Sequence, residues 1–556
     1  MVRRVVQLFY REFSGLHQAA YVLAIFTFGS QLLAIIRDRA LAHTFGAGVE
    51  LDLYYAAFRI PDVMFVIFSS MLSVYVLIPF VSKLETKHSS AAGAHLLGQM
   101  FSLFLVLYSL IAVSLFIFAP AILTLLFPTQ TASDGEVLVT LFRILLLQPL
   151  FLGLSSLFGV ITQLRQRFII YAVSPILYNL GIIIGIFLLY PLLGLVGLVW
   201  GVVLGAIAHA TIQLPLVLRS PLRFRPVLPA FDSLRDVLKV AFPRAVTLSL
   251  NQIVLLVLTI IAASMTVGSV SVFQFAWNLQ AVPLAIIGVS YSVAAFPVLA
   301  KLLANEEYEK FKSHIKTALR HIIFWSVPVI VLVIILRAHL VRVLLGSGNF
   351  SWDDTRLTAA ILAIFIIALL AQAINLLTIR AFYASGDTRT PLMVAMISSF
   401  TTLVTAWLFY TYAFSIPTIR TVLESWLRIS DVPGTEVMIL AISYTIGTTL
   451  QATIMLIVLQ KRFSGICYNL WPTIRTTCVA ASVGGFVTYV TLQFIVSGIN
   501  QFTFMGILLQ GGLAATAGII SMYIYYRHTD SSEFNEIRNA VKKHYGFKKY
   551  FGAMQK

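Results

Sequence analysis

The sequence predicts an all-α polytopic membrane protein with about fourteen transmembrane helices: two pseudosymmetric six-helix lobes and a C-terminal helix pair. Three observations carry that expectation. Of 556 residues, 59% are hydrophobic and only 11% are charged, whereas soluble domains run near ~45–50% apolar and ~25% charged. Apolar stretches long enough to cross a bilayer, ~20 residues each, recur along the whole chain. The sequence also resembles itself at an offset of about 220 residues.

In chain order, spans are expected near 19–36, 51–80, 97–124, 137–164, 168–190 and 193–218. A second set follows near 236–263, 270–299, 318–337, 355–383, 391–413 and 437–460, and a final pair near 473–497 and 503–526. Charges, prolines and glycines bound these stretches. Shifted by the repeat offset, Gly48 meets Gly268, Pro61 meets Pro283, Pro79 meets Pro297 and Asp134 meets Asp354. An offset of an even number of helices gives two lobes of like orientation, the parallel-repeat plan of secondary transporters with a substrate site between them. The expected domains are an interfacial segment (1–18), an N-terminal lobe (19–218), a C-terminal lobe (219–462), a helix pair forming a lipid groove (463–526) and a basic tail (527–556).

The basic residues give an orientation. With both termini cytoplasmic, inside segments hold 27 of the 39 Lys and Arg, and outside loops hold seven. That excess follows the positive-inside rule, and it accounts for the net charge of +17 without nucleic acid as a partner. The first 18 residues are too charged for a cleaved signal peptide. Arg3, Arg4 and Arg11 among Val5, Val6, Leu8, Phe9 and Phe13 read as a helix on the inner membrane surface.

Several chemistries find no support. There is no phosphate-binding Gly-x-x-x-x-Gly-Lys-[Ser/Thr] loop, and the ten histidines show no metal-binding spacing. Two cysteines, Cys467 and Cys478, are too few for a disulfide framework. Asp353-Asp354 beside Ser351 reads as a helix start with first-turn acids rather than a metal site. The expectation is a transporter that is not an enzyme and needs no cofactor or metal.

The informative residues are charges inside the membrane, which face protein or a wet cavity because a central charge costs ~2.5–3.5 kcal/mol. Asp52 and Arg59 are seven residues apart and share a helix face. Arg37 ends the first span, and Arg143, Arg244 and Arg380 add positive charge to later spans. Guanidinium forks grip phosphates and carboxylates bidentately, so a surplus of arginine points to an anionic, phosphate-bearing substrate. The competing reading pairs Arg37 with Asp38 or Asp52, and Arg59 with Asp62, as structural bridges. Asn251, Gln252, Gln274, Asn278, Gln372 and Asn375 supply amides that line the cavity or bond between helices.

The run Arg37-Asp38-x-x-Leu41-Ala42-x-x-Phe45-Gly46-Ala47-Gly48-x-x-x-Asp52, continued by Ala57-Phe58-Arg59-Ile60-Pro61-Asp62, resembles the opening of MurJ/MviN-type lipid II flippases. Leu345-Gly346-x-Gly348-x-Phe350-x-x-Asp353-Asp354-Thr355 and Tyr383-Ala384-Ser385-Gly386-Asp387-Thr388-Arg389-Thr390-Pro391 resemble later parts of the same family. The resemblance implies the multidrug/oligosaccharidyl-lipid/polysaccharide exporter fold in a bacterial cytoplasmic membrane. It implies outward flipping of lipid II, the undecaprenyl-pyrophosphate-linked cell-wall precursor, with membrane lipids and other cell-wall synthesis proteins as partners. It places Arg37, Arg59 and Asp52 in the substrate cavity, with Asn278, Arg244 and Arg143 as further candidates. The sequence departs from the family at Gln31, at Phe65-Val66 and at Asn278, each where the family carries arginine. Span eleven, Ser398-Ser399-Phe400-Thr401-Thr402, offers no match to its sodium site. A different polyprenyl-pyrophosphate-linked oligosaccharide, or a non-transporting scaffold for wall synthesis, stays open as an alternative.

Overall fold

The computed structural model describes residues 16–413, 416–496, 498–500 and 503–539. The interfacial segment expected over 1–18 lies almost wholly outside these residues, as does the basic tail from 540. Among the described residues the chain is helical, without a strand. Omitting single turns, the helices are α1 (Leu16–Phe45), α2 (Val49–Met71), α3 (Val74–Lys87), α4 (Ser90–Leu126), α5 (Pro128–Leu145), α6 (Leu147–Leu164), α7 (Phe168–Ile184), α8 (Leu195–Thr211) and α9 (Phe231–Ala263). They continue as α10 (Ser269–Leu284), α11 (Ser290–Ala304), α12 (Tyr308–Leu344), α13 (Trp352–Ile367), α14 (Leu369–Ala384) and α15 (Arg389–Leu408). The last four are α16 (Pro417–Leu427), α17 (Met438–Arg462), α18 (Trp471–Val490) and α19 (Phe504–His528).

Twelve helical stretches among the described residues are long and apolar enough to cross a membrane, and α13 with α14, bent by 43°, makes a thirteenth. The 30-residue α1 covers the first expected span, so the protein is a multi-pass membrane protein compatible with fourteen spans. Local chemistry sets the helix starts. The Ser89 hydroxyl accepts from the Ala92 amide at 3.3 Å to open α4, and Thr503 accepts from Gly506 at 3.1 Å to open α19. At α13, Ser351 and Asp354 cap reciprocally: the Ser351 amide donates to Asp354 Oδ2 at 2.9 Å, and the Asp354 amide donates to Ser351 Oγ at 3.0 Å. The sequence expected a helix start with first-turn acids there, and the reciprocal exchange is a capping box.

The chain divides into two compact units. The first comprises Met1–Gln274 with Leu345–Asp354 and Pro433–Val437. Within it α7 and α8 pack along a glycine seam, where a Cβ on Gly181 would strike Gly205, and one on Gly201 would strike Gly185. With no hydrophobic drive between helices in lipid, such close backbone approach supplies the packing energy. Helix α9 packs along α2 in the same unit.

The second unit comprises Phe275–Leu344, Thr355–Val432 and Met438–Lys556. Its core gathers Phe311, Ile315, Ile322, Leu377, Phe382, Met455 and Leu459. Helices α18 and α19 pack on one another and on α12. Beyond α19, Glu533 accepts from Arg320 Nε at 2.8 Å and from the Thr473 hydroxyl at 2.5 Å, docking the start of the tail against α12 and α18.

Candidate functional site

Helix α2 begins after Gly48 and carries Asp52 in its first turn. The Asp52 side chain is buried. It accepts from the Gly268 amide at 2.7 Å, the Ser271 amide at 2.8 Å and the Ser271 hydroxyl at 2.5 Å. These amides belong to the start of α10, whose first N–H groups have no acceptor of their own. Asp52 therefore caps a helix 216 residues away in sequence, and its charge suits the positive end of the helix dipole.

Two turns along α2, Arg59 is buried, at 6% exposure. Its Nη2 donates to Gln274 Oε1 on α10. Its Nε is buried with no protein partner, and no ion pair involving Arg59 is found among the described residues. Arg37 differs. Its Nε and Nη2 donate to Asp38 Oδ1 at 2.9 and 2.7 Å, and its Nη1 donates to Asn179 Oδ1 on α7 at 3.0 Å. Asn179 is held in turn by Ser30 and by the Pro175 carbonyl. Arg37 is thus a neutralised member of an α1–α7 network, whereas Arg59 makes no bridge and feels the opposite charge of Asp62, one turn along α2, only at a distance.

The remaining sequence candidates sit on α5, α9 and α10. Arg143 Nε donates to the Phe116 carbonyl of α4 at 3.1 Å, and its guanidinium lies 4.7 Å from the centre of the Phe116 ring. Arg244 is half-buried on α9, directly after the helix-interior Pro243. Asn278 is half-buried on α10, one turn beyond Gln274. Sequence reasoning named Gln274 only as one amide among several and missed Asn179 and Ser271. Asn179 was visible as a lone amide in the apolar run of α7. Ser271 carried no signal, because half of its contribution is a backbone amide and a single serine at a helix start does not stand out.

A second feature joins loops that read as separate motifs. The Asn349 amide donates to the His43 carbonyl at 3.0 Å, and Asn349 Nδ2 donates to the Thr44 carbonyl at 2.7 Å. Gly46, at φ +64°, leaves no room for a Cβ, since the Asn349 carbonyl oxygen would lie 2.5 Å from it. Gly268 (φ +89°) and Gly348 (φ +57°) press in the same way on the backbones of Ala47 and His43. Glu436 accepts from the amide and hydroxyl of Thr266 beside them. The Phe45-Gly46-Ala47-Gly48 and Leu345–Phe350 motifs therefore form one backbone-to-backbone joint.

Known proteins place this geometry. A solved structure described as lipid II flippase MurJ in an inward closed conformation superposes with a TM-score of 0.73 at 22% identity, covering 92% of this chain and all of that one. An inward-facing multidrug resistance MATE transporter of the MOP superfamily superposes at 0.63 with 14% identity, covering 79% of this chain and 96% of that one. Both show a shared fold. Among curated relatives, probable lipid II flippases MurJ from Buchnera aphidicola subsp. Acyrthosiphon pisum and from Thermotoga maritima are 28% and 26% identical. Those alignments cover 68% and 67% of this chain and 75% of each relative. The family model described as lipid II flippase MurJ matches residues 41–510, a stretch holding Asp52, Arg59 and the glycine joint, and the chain belongs to the MurJ family.

Proposed function

We propose that this protein carries lipid II from the inner to the outer leaflet of the bacterial cytoplasmic membrane by alternating access, as a transporter and not an enzyme. The observation that carries the reading is Arg59: a buried guanidinium with one nitrogen on Gln274 and Nε without a protein partner. A desolvated arginine with unused donors binds a pyrophosphate oxygen strongly and bidentately. Arg37, tied to Asp38, contributes by swapping part of that bridge for the incoming anion, with Asn278 and Arg244 as further contacts. The repeat divides the chain into six-span lobes over 19–218 and 219–462, and α18 and α19 form the groove for the polyprenyl chain. The excess of inside basic residues supports cytoplasmic termini, and it puts the Gly46–Gly268–Gly348 joint at the outer end, where it must part for release. An outside-positive potential favours anion export by ~2.3 kcal/mol per charge per 100 mV.

A second reading keeps the mechanism and changes the cargo to another polyprenyl-pyrophosphate-linked oligosaccharide. Asn278 and Phe65-Val66, where the family carries arginine, favour it. Vesicles reconstituted with the protein and offered lipid II in competition with a second lipid-linked sugar separate the two. Lipid II flipping that falls at least ~10-fold in Arg59→Ala, and partly returns in Arg59→Lys, is expected for an electrostatic contact of ~1.5–3 kcal/mol. Undiminished flipping by Arg59→Ala removes its assigned role. Truncation after residue 539 leaves the docked Glu533 segment in place and tests the scaffold alternative, since recruitment of cell-wall synthesis proteins through the basic tail requires that tail and flipping does not.

A further inference from the structure

Helix α16 is unlike the spans around it. Its 11 residues reach ~16 Å, too short to cross a bilayer. It follows α15 at the end where Trp407, Tyr410 and Tyr412 stand exposed, with the Trp407 and Tyr412 rings edge to face at 6.1 Å. Trp and Tyr collect at the boundary between headgroups and acyl chains. Along α16, Ile419, Val422 and Trp426 fall at i, i+3 and i+7, one face of a helix. All three are exposed, Trp426 by 80%. Thr421 is exposed too but lies on another side of the helix.

What holds α16 in place also fixes its depth. Glu424 is buried and accepts from Arg420 Nε at 2.7 Å. Arg337, near the end of α12, donates through Nη2 to the Leu427 carbonyl at 3.3 Å. Arg356, in the first turns of α13, forms a two-pronged bridge to Asp431 at 2.6 and 2.5 Å and donates to the Arg428 carbonyl at 2.7 Å. Both arginines lie toward the ends of apolar helical stretches long enough to cross a membrane, where long cationic side chains reach the headgroup level. The apolar face of α16 is therefore presented at that level, a few residues after the exposed aromatics that follow α15 in the chain.

We propose that α16 is a membrane-surface helix, with its Ile419–Val422–Trp426 face seated in the boundary between lipid headgroups and acyl chains. Its occupant is the bilayer itself, on the outer side when both termini are cytoplasmic. An amphipathic helix of this kind binds by buried apolar area, and clamped by Arg337 and Arg356 it holds the mouths of α12 and α13 at a set height.

The test uses the full chain with Cys467→Ser and Cys478→Ser, carrying Ile419→Cys labelled with an environment-sensitive fluorophore, so that Trp426 is retained. In vesicles of phosphatidylethanolamine and phosphatidylglycerol, lipid carrying a shallow nitroxide should quench the label more than lipid carrying a deep one, and iodide should quench it little. A label at Thr421→Cys should show the reverse preference for iodide. Adding Trp426→Glu should move the Ile419 label toward iodide and away from lipid quenching. Equal iodide quenching at 419 and 421 overturns the proposal, because the helix is then solvated. Protection of 419 from both iodide and nitroxide lipids also overturns it, because a protein then covers the face. Iodide is supplied on both faces of the vesicles and the lipid quenchers report contact from either side, so an inverted topology does not mimic failure.

Discussion

Arg143 Nε donates to the carbonyl of Phe116 at 3.1 Å, and Phe116 lies four residues before the helix-interior Pro120. A helical carbonyl at that position is normally taken by the amide four residues on, which proline lacks. With no water in the hydrocarbon region to replace it, Arg143 fills the place that Pro120 leaves open. Arg143→Met should lower stability by about 1–3 kcal/mol, the range for a polar group left unmet away from water. Pro120→Ala restores an amide partner, so the double variant should lose less than Arg143→Met alone. Thermal unfolding of the four proteins in detergent gives this cycle, and additive losses would show that the two residues do not act together.

Asp52 should behave as a capping residue. Asp52→Ala strands the Gly268 and Ser271 amides, at about 1–3 kcal/mol for each group left unsatisfied. Asp52→Asn keeps one acceptor oxygen and should lose less. Amide hydrogen exchange at the start of α10 reads the difference directly. Unchanged protection there in Asp52→Ala would show that α10 does not depend on this carboxylate.

The glycine seam between α7 and α8 makes a prediction of opposite signs. Gly201→Ala forces a methyl against Gly185 and against the Gly181 carbonyl, 2.8 Å away, and should cost about 1–3 kcal/mol as overpacking. Gly512, within α19, has nothing within 4 Å of its would-be Cβ. Gly512→Ala should gain about 0.5–1 kcal/mol, since it only removes backbone freedom from the unfolded chain. Paired melting curves test both.

The docked start of the tail should respond to acid. Burial alone would raise the Glu533 carboxyl, but hydrogen bonds from Thr473, Arg320 and Ser531 outweigh it and hold the group at about 2, below its ordinary 4.5. A carboxylate so lowered contributes its full stabilisation above pH 4.5 and loses it as pH falls toward 2. Spin labels at Lys316 and Asn539 should move apart across that window. Glu533→Gln should show the separated distance at neutral pH.

Composition and long apolar runs made the membrane class legible, because nothing soluble can bury such a surface. The bend at Ala368 between α13 and α14 was not legible: the apolar run passes through it without proline or glycine. Arg59 could be singled out, since an arginine in a span must have a reason. The partners of Asp52 could not, because Gly268 and Ser271 answer with main-chain amides and the pairing exists only once α2 and α10 lie together. Arg143 is intermediate. Its charge drew attention toward substrate, while the explanation lay in a proline on another helix, recognisable in principle by asking which carbonyl that ring leaves unbonded.

The joint of Gly46, Gly268 and Gly348 has a consequence for how such a chain tolerates change. It is built mostly from main-chain atoms, so exposed neighbours such as Val49 and Val267 are free to drift during evolution, while the buried Leu345 and Phe350 are not. A single added carbon at any of the three glycines has nowhere to go. Surface tags and reporter insertions belong elsewhere on the molecule, and random mutagenesis should recover sharp intolerance at three small residues beside permissive exposed ones such as Val49 and Val267.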